Sequence, residues 1–273
     1  MGADHTGNDA PSIDPAVLEI AQDVTRELVA RGATAVVLLG SHARGDAHPL
    51  SDLDMPAITE APALGSVLRG GRLVVSDTLQ PEQVRASFTS PQECVTYVPG
   101  WRRAVILHDP SGIAAALRAD ARAWDWHIVG DAACDRHVAE GVTGLAEEVH
   151  KLVAALDRGR PWMAAVQRSV LGLQLAGIMA VRHRILYETE NDLWDLVAAR
   201  MDAPWRMAQS AAFGTRGEAF EETCRAALEL YALAAWDVRP LLNAEQLAVV
   251  RHACAVAGNP SIWCRAPHRS VQP

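Results

Sequence analysis

Two aspartates separated by a single residue, Asp52 and Asp54, follow a Gly-Ser step in the stretch GSHARGDAHPLSDLD, which spans residues 40–54. If residues 52–58 form a β-strand, both carboxylates point to the same face, about 7 Å apart along it. Two carboxylates held this close repel each other unless a cation lies between them. The spacing favours Mg²⁺, because this ion prefers oxygen ligands and shares its coordination sphere with phosphate oxygens.

The residues before the aspartates are suited to holding phosphate groups. Gly40 ends an apolar run, ATAVVLLG, and allows the backbone to approach a ligand closely. Ser41 can offer its hydroxyl and amide, and Arg44 can reach the same phosphates with its planar guanidinium. Ser51, directly before the first aspartate, is assigned to the same phosphate-binding group. Each piece taken alone also fits an ordinary surface turn, which is the competing interpretation.

Taken with the apolar run before it, the stretch resembles the signature of the DNA polymerase β-type nucleotidyltransferase superfamily. That signature is an apolar strand, Gly-Ser, a spacer and then Asp-x-Asp or Asp-x-Glu. Within the superfamily, the chain resembles the kanamycin (aminoglycoside 4′) nucleotidyltransferases. Two further segments carry this resemblance, LHDPSG at 107–112 and RHRILYET at 182–189.

The resemblance implies a reaction and its participants. A nucleoside triphosphate is the donor, Mg²⁺ is held in a one- or two-metal site, and the acceptor is a small, cationic, hydroxylated molecule such as an aminoglycoside. The resemblance also implies a homodimer with shared active sites. It places the general base at Glu147 and a phosphate-contacting lysine at Lys151.

Glu147 and Lys151 are four residues apart on a predicted helix and therefore share a face. An ordinary surface ion pair is the alternative for such a pair. Lys151 is the only lysine in a chain that otherwise uses arginine, which favours a functional role to a modest extent. Glu148 is the alternative base.

The chain departs from the superfamily pattern at the third carboxylate, which is expected on the next strand. When the chain is aligned with that pattern without gaps, Val74 falls where the third carboxylate is expected. Asp77 at the end of RLVVSD is the alternative third metal ligand. Asp77 fits the cap of a turn equally well. His42 and His48 are interpreted as solvated loop histidines, and His183 as a packed core residue.

The order of patterns predicts an α+β protein with two domains. Residues 1–126 alternate helical and strand-like segments, which predicts a polymerase β-like nucleotidyltransferase domain with a mixed sheet and helices. Strands are predicted at 33–40, 52–58, 72–77 and 104–109. Residues 127–273 carry apolar stripes at helical spacing and predict a helical bundle, with single helices at 139–159 and 161–187 among its members.

The composition of the chain limits the classes of binding partner and the cellular location that are expected. The net charge of −8, without a block of basic residues, disfavours a nucleic-acid groove and is consistent with a cationic small molecule. No run is expected to approach the roughly 18 apolar residues of a membrane span, and the polar, acidic N-terminus does not resemble a secretory signal. A cytoplasmic location is therefore expected. The scattered cysteines predict neither a disulfide framework nor a zinc site.

Three other functions remain open from the sequence. The same chemistry could act on a lincosamide or a biosynthetic intermediate. A second possibility is an antitoxin-type enzyme that modifies a partner protein, although the long helical half disfavours it. A catalytically weak ligand-binding homologue is the third, because Val74 occupies the expected carboxylate position.

Overall fold

The computed structural model describes residues 13–264 and divides the chain into two units, the first ending at Ile128 and the second beginning at Val129. The sequence placed this division between residues 126 and 127. The first unit combines small mixed sheets with helices, and the second is built from helices. The predicted fold class, α+β with a helical C-terminal part, is confirmed.

The first sheet is built around a short, fully buried strand. In spatial order its strands are β6 (Thr78–Leu79), β3 (Ala57–Ile58), β1 (Ala35–Leu38) and β7 (Val105–His108). β1 pairs antiparallel with both β3 and β7, while β3 and β6 are parallel. Every residue of β1 is buried, as its continuous apolar sequence AVVL predicts.

The second sheet carries the second aspartate of the pair. Its strands, in spatial order, are β2 (Leu53–Asp54), β5 (Arg72–Ser76) and β4 (Gly65–Arg69). β2 and β5 run parallel, and β4 and β5 form an antiparallel hairpin.

The prediction of one continuous strand over 52–58 is wrong. The segment is divided between the two sheets, with Met55 and Pro56 carrying the chain from β2 to β3. Met55 N donates to Val75 O at 2.7 Å in one sheet, and Pro56 O accepts from Val37 N at 3.2 Å in the other. Proline has no amide hydrogen to donate, so a strand change at Pro56 loses no ladder bond.

Helices surround these sheets in the first unit. They are α1 (Pro15–Ala30), α2 (Gly40–Arg44), α3 (Pro81–Thr89), α4 (Cys94–Arg103) and α5 (Ile113–Ala123). α1 begins at the Asp14 cap, whose Oδ1 accepts from Ala16 N at 2.8 Å, with Pro15 at the first helical position. Its buried face contributes Val17 and Leu28 to a core that includes Leu53 and Val74.

Helices also form the described part of the second unit. They are α6 (Asp131–Gly144), α7 (Ala146–Asp157), α8 (Pro161–Arg182), α9 (Glu190–Arg200), α10 (Ala203–Ala212), α11 (Phe220–Val238) and α12 (Ala244–Val256). The single helix predicted over 139–159 is instead two helices that meet at Leu145. Gly141 and Gly144 weaken helix formation before this break, and a Cβ at Gly141 would lie 2.9 Å from Ile178 Cδ1 of α8.

α8 lies in the core of the second unit and is markedly apolar. By length and composition it could cross a membrane, with a mean hydropathy of 1.4 over its most apolar window, 50% of which is buried. Core helices of folded proteins pass the same test. The expectation that no segment approaches the apolar length of a membrane span is therefore wrong for this helix.

A charged cluster joins the end of α8 to α11. Arg182 Nε lies 2.9 Å from Asp237 Oδ2, and His183 Nε2 lies 3.3 Å from the same oxygen. Burial raises the pKa of Asp237, but His183 and Arg182 together more than offset it, so the pKa of this carboxyl lies below its ordinary value. His183 is therefore a partly buried partner of a carboxylate rather than a purely apolar core residue.

Candidate functional site

The turn after β1 brings the two ends of the 40–54 stretch into contact. Gly40 has φ +66°, and a Cβ built on it would overlap Asp54 Oδ2 and lie 3.2 Å from Asp54 Cγ. Leu39 N donates to Asp54 O at 2.9 Å, which fastens the same two segments through the backbone. Glycine is therefore required here both for its left-handed conformation and for the space that the Asp54 carboxylate occupies.

The aspartates lie on either side of a core residue. Leu53 is fully buried, and Asp52 and Asp54 are half-buried. Because side chains alternate along extended chain, the burial of Leu53 turns both carboxylates away from the core. Carboxylate oxygens are the donors that Mg²⁺ prefers, and Gly40, which has no Cβ, lets the Asp54 carboxylate lie against the turn that begins α2, so these residues fit that ion.

Ser41 and Arg44 lie on α2, the short helix that starts at Gly40. The helix ends at Gly45, which has a left-handed conformation (φ +86°). The amides of Gly45 and Asp46 both donate to Ser41 O, at 2.9 and 3.1 Å. Arg44 Nε lies 3.1 Å from Asp46 Oδ2, and the Arg44 side chain is 13% exposed. The guanidinium is thus held close to the protein surface rather than extended into solvent.

Ser51 has a local structural role that the sequence did not reveal. Its Oγ accepts from His48 N at 3.0 Å, and its amide donates to His48 O at 2.8 Å. These two bonds close the loop directly before Asp52. The hydroxyl hydrogen of Ser51 remains available to donate to a ligand, so its assignment to a nucleotide site stays a prediction.

The pairing of β2 with β5 changes which residue faces the aspartates. Leu53 pairs with Val74 and Asp54 with Val75. Val74 therefore shares the buried face of Leu53, and the position beside Asp54 is Val75. Asp77 lies two residues further along that face and is exposed. Within residues 13–264, no group of three or more His, Cys, Asp or Glu side chains has a metal-binding arrangement, and Asp77 as a third ligand stays a prediction.

Glu147, Glu148 and Lys151 form a charged group on α7 in the second unit. Lys151 Nζ lies 2.9 Å from Glu147 Oε1 and 3.1 Å from Glu148 Oε1. The Glu147 side chain is 72% exposed, whereas that of Glu148 is 19% exposed. A hydrogen bond from Lys151, together with its charge, lowers the pKa of Glu147, and hydrogen bonds to the two carboxylates raise the pKa of Lys151. Glu147 is therefore an ionised, solvent-accessible carboxylate at neutral pH, which is the form that a general base needs.

His42 is the residue in this region that the sequence misplaced. It belongs to α2, is only 7% exposed and is buried, whereas His48 is an exposed loop residue as expected. Its Nε2 is buried and has no hydrogen-bond partner among the described residues. Its burial depends on packing against segments distant in sequence, so the local pattern of the stretch did not reveal it.

No protein-family model matches the sequence, and no curated protein matches it at a significant level. Among solved structures, a nucleotidyltransferase-like protein from Exiguobacterium sibiricum 255-15 is similar to this chain, with a TM-score of 0.46 and 12% sequence identity. The similarity covers 88% of this chain and 78% of that protein. At these values the function of the chain has to be derived from its own residues.

Proposed function

We propose that the protein is a nucleotidyltransferase, which moves a nucleoside monophosphate from Mg·NTP to a hydroxyl of a small cationic acceptor. The observation that carries this proposal is the contact between Gly40 and the Asp54 carboxylate. A left-handed glycine directly after a buried strand packs against a carboxylate, which brings the proposed phosphate-binding turn and a proposed metal ligand into contact. An ordinary surface turn does not need that arrangement.

Asp52 and Asp54 are the proposed ligands of Mg²⁺, which when bound would neutralise the triphosphate and the leaving pyrophosphate. Gly40, Ser41, Arg44 and Ser51 are proposed to hold the phosphates. Hydrogen bonds from Arg44 to phosphate oxygens would be charge-assisted, and the glycine lets them approach the backbone.

In the proposed reaction, the acceptor oxygen forms a bond to the α-phosphorus while the bond from that phosphorus to the bridging oxygen of pyrophosphate breaks. Glu147 takes the proton of the attacking hydroxyl, because an un-ionised hydroxyl is a poor nucleophile. Lys151 stabilises negative charge that develops on the phosphate oxygens. Its raised pKa supports this role, since the amine stays protonated at neutral pH.

An aminoglycoside is the first acceptor to test, which would make the protein an antibiotic-modifying enzyme. The net charge of −8 supports a cationic acceptor, since an acidic protein surface attracts one. The proposal includes a cytoplasmic homodimer with shared active sites, as the sequence resemblance implies. Sedimentation of the purified chain would test the dimer independently of the reaction.

Mass spectrometry on a single reaction mixture tests the function. The mixture contains the protein, Mg²⁺, the four common NTPs and a panel of aminoglycosides and lincosamides. We expect one acceptor to gain the mass of a nucleoside monophosphate, with release of pyrophosphate. Asp52→Asn should abolish the gain, whereas the matched control Asp23→Asn, at an exposed position of α1, should leave it unchanged.

The same experiment separates the alternatives. A gain on a lincosamide keeps the chemistry and changes the acceptor, and a gain on a protein added from a lysate favours the antitoxin-type enzyme. If no acceptor gains mass while Mg·ATP binds with the same affinity to the wild type and to Asp52→Asn, the proposal of a transferase is wrong.

A further inference from the structure

One side of α8 in the second unit is apolar and exposed to solvent. Trp162 is 86% exposed, Val166 is 57% exposed and Leu173 is 72% exposed, and Ser169 between them is also exposed. These positions are four, three and four residues apart, so they lie along one line on the helix surface. We call these four residues the α8 stripe.

The stripe carries no charge. Within α8 the charged side chains are Arg168 and Arg182, and both bind residues of α11. Arg168 Nη1 donates to Thr223 Oγ1 at 2.7 Å, and Arg182 Nε lies 2.9 Å from Asp237 Oδ2. The chain as a whole has a net charge of −8, so two copies repel each other. An uncharged surface is where that repulsion opposes their contact least.

The exposed apolar area is large for a surface that meets only water. Trp162, Val166 and Leu173 together expose roughly 400 Å², about half of the 800 Å² that each partner buries in a standard interface. Phe213 is 45% exposed and extends the patch, because its ring lies 3.2 Å from a Cβ built on Gly172, next to Leu173. Contiguous apolar patches of this size mark interaction surfaces.

The spacing of the stripe is the same in both directions along the helix. An antiparallel second copy therefore meets it in register, with Trp162 beside Leu173 of the partner subunit and Val166 beside Ser169 of the partner subunit. A two-fold axis between the helices generates each contact twice. The smaller side chains lie nearest the axis and let the helices approach, while the larger ones pack on either side of it.

A lipid surface fits the stripe less well than a second copy does. Helices that lie on membranes have many lysines and arginines on their polar face, whereas the two arginines of α8 bind α11. The net charge of −8 also opposes approach to an anionic lipid surface. Half of the most apolar window of α8 is buried, so the helix could cross a bilayer only by leaving the core.

We infer that the α8 stripe is the interface of a homodimer in which two copies of α8 pack antiparallel. Trp162 and Leu173 supply most of the buried apolar area, and Val166 and Ser169 lie nearest the two-fold axis. The homodimer in the proposed function came from sequence resemblance alone, and the stripe assigns it a surface. This interface does not depend on the transferase reaction.

Sedimentation equilibrium of the full chain, without nucleotide or Mg²⁺, tests the interface over a wide range of protein concentration. We expect a reversible dimer. Trp162→Ala should raise the Kd for dimerisation by about thirtyfold or more, as truncation of a central tryptophan does. Leu173→Ala should raise it by about tenfold, because it leaves three fewer carbon atoms to bury.

Leu68→Ala is the matched control. Leu68 lies on β4 in the first unit and is 70% exposed, nearly the same as Leu173. Both substitutions remove the same atoms from an exposed position, so neither should disturb folding, which circular dichroism checks. Only Leu173→Ala should weaken the dimer.

Disulfide cross-linking tests the antiparallel register. Chains carrying Val166→Cys are mixed with chains carrying Ser169→Cys and oxidised. We expect a disulfide between the two unlike positions, because Val166 of one copy lies beside Ser169 of the other. Arg168 lies between these positions, so trypsin places the two cysteines in different peptides, and mass spectrometry identifies the linked pair. The four cysteines described as free are buried and should not react.

Three results would overturn the inference. One is a monomer at every concentration, even if the chain transfers nucleotides as proposed. Another is an equal rise in Kd for Leu173→Ala and Leu68→Ala, which would place the dimer interface elsewhere. A third is cross-linking of like positions only, which would exclude the antiparallel register. A monomer that binds lipid vesicles through Trp162 would assign the stripe to a membrane surface instead.

Discussion

The two groups of proposed functional residues are held in different ways. Around Gly40 and Asp54, the backbone and a carboxylate pack so closely that only glycine fits, and a backbone hydrogen bond fastens the two segments. Glu147 and Lys151 lie on the surface of α7 and contact only each other and Glu148 among the partners described for them. The first arrangement depends on tertiary packing between two segments. The second depends only on the spacing of residues along one exposed helix face.

The difference predicts that substitution at Gly40 has the largest effect. Gly40→Ala places a Cβ on the Asp54 carboxylate and moves it, so we expect turnover to fall by about a hundredfold or more. Overpacking adds a loss of roughly 1–3 kcal/mol in the free energy of unfolding. Initial rates in the mass-spectrometric assay and chemical denaturation measure the two effects.

Gly65→Ala is the matched control for that substitution. Gly65 has nearly the same φ, +67°, but nothing lies within 4 Å of a Cβ at that position. Both variants carry the strain of a left-handed residue, and only Gly40→Ala carries the collision. Equal losses in the two variants would show that the packing against Asp54 has no importance for the site.

A second prediction concerns the partly buried charged cluster of Arg182, His183 and Asp237 in the helical unit, which we expect to support structure and not chemistry. Asp237→Asn leaves Arg182 and His183 without their carboxylate and should cost about 1–3 kcal/mol in the free energy of unfolding. Because the pKa of Asp237 is lowered in the fold, its contribution is present above the unfolded-state value of about 3.9 and disappears as the pH falls through the lower folded value.

Glu221→Gln on the same helix provides the comparison. Glu221 lies 3.7 Å from Arg225 with both side chains exposed, and it should contribute less than about 0.5 kcal/mol. Denaturation of both variants at neutral and acidic pH makes the measurement. If Asp237→Asn lowered the turnover per folded molecule, the prediction that this cluster supports only the structure would be wrong.

Two fully buried tryptophans, one in each unit, give a third and smaller comparison. Trp205 Nε1 donates to Gln209 Oε1 at 3.0 Å, whereas Trp101 Nε1 has no partner among the described residues. Replacing either by phenylalanine removes similar volume, but only Trp205→Phe breaks a hydrogen bond. We expect it to lose about 1 kcal/mol more unfolding free energy than Trp101→Phe. Equal losses in thermal unfolding would contradict this.

The fourth prediction tests the role of the ion pair on α7 and has the smallest expected effect. Lys151→Met removes the hydrogen bond and charge that lower the pKa of Glu147, so this pKa should rise towards its ordinary value. Glu147 then gains its proton at a higher pH, and the acidic limb of the pH–rate profile should move upward with it. Carboxyl NMR and initial rates measure the two shifts.

Arg158→Met removes a cation near the end of the same helix. It should leave the pKa of Glu147 and the acidic limb of the pH–rate profile unchanged. If the pKa of Glu147 rises in Lys151→Met while the acidic limb stays in place, a carboxylate other than Glu147 accepts the proton. Glu148, with its less exposed side chain, would then be the base to test.

The elements that the sequence predicted well are those whose pattern is set locally. The apolar run at 33–40 predicts β1, and Asp14 with Pro15 predicts the start of α1, because a continuous apolar pattern and a helix cap are both recognised from neighbouring residues alone. The strand over 52–58 was wrong because its alternation is equally compatible with one sheet or two. Only pairing with distant Val75 and Val37 decides where each half lies.

The candidate site shows the same limit. The types and spacing of Gly40, Asp52 and Asp54 were readable, but the contact between the first and last depends on how the intervening loop folds. The register of β5, which places Val75 rather than Val74 beside Asp54, is a long-range feature. The burial of His42 also comes from packing of segments distant in sequence, so a loop histidine was the natural but wrong expectation.

The single lysine has a consequence for chemical labelling. Apart from the N-terminal amine, Lys151 carries the only primary amine in the chain, so reagents that acylate amines have two possible targets. Its contacts with Glu147 and Glu148 keep the amine protonated and therefore poorly nucleophilic. The acylation rate at this one position accordingly reports whether the contacts are formed, and a ligand that draws the lysine away from its carboxylates would change that rate.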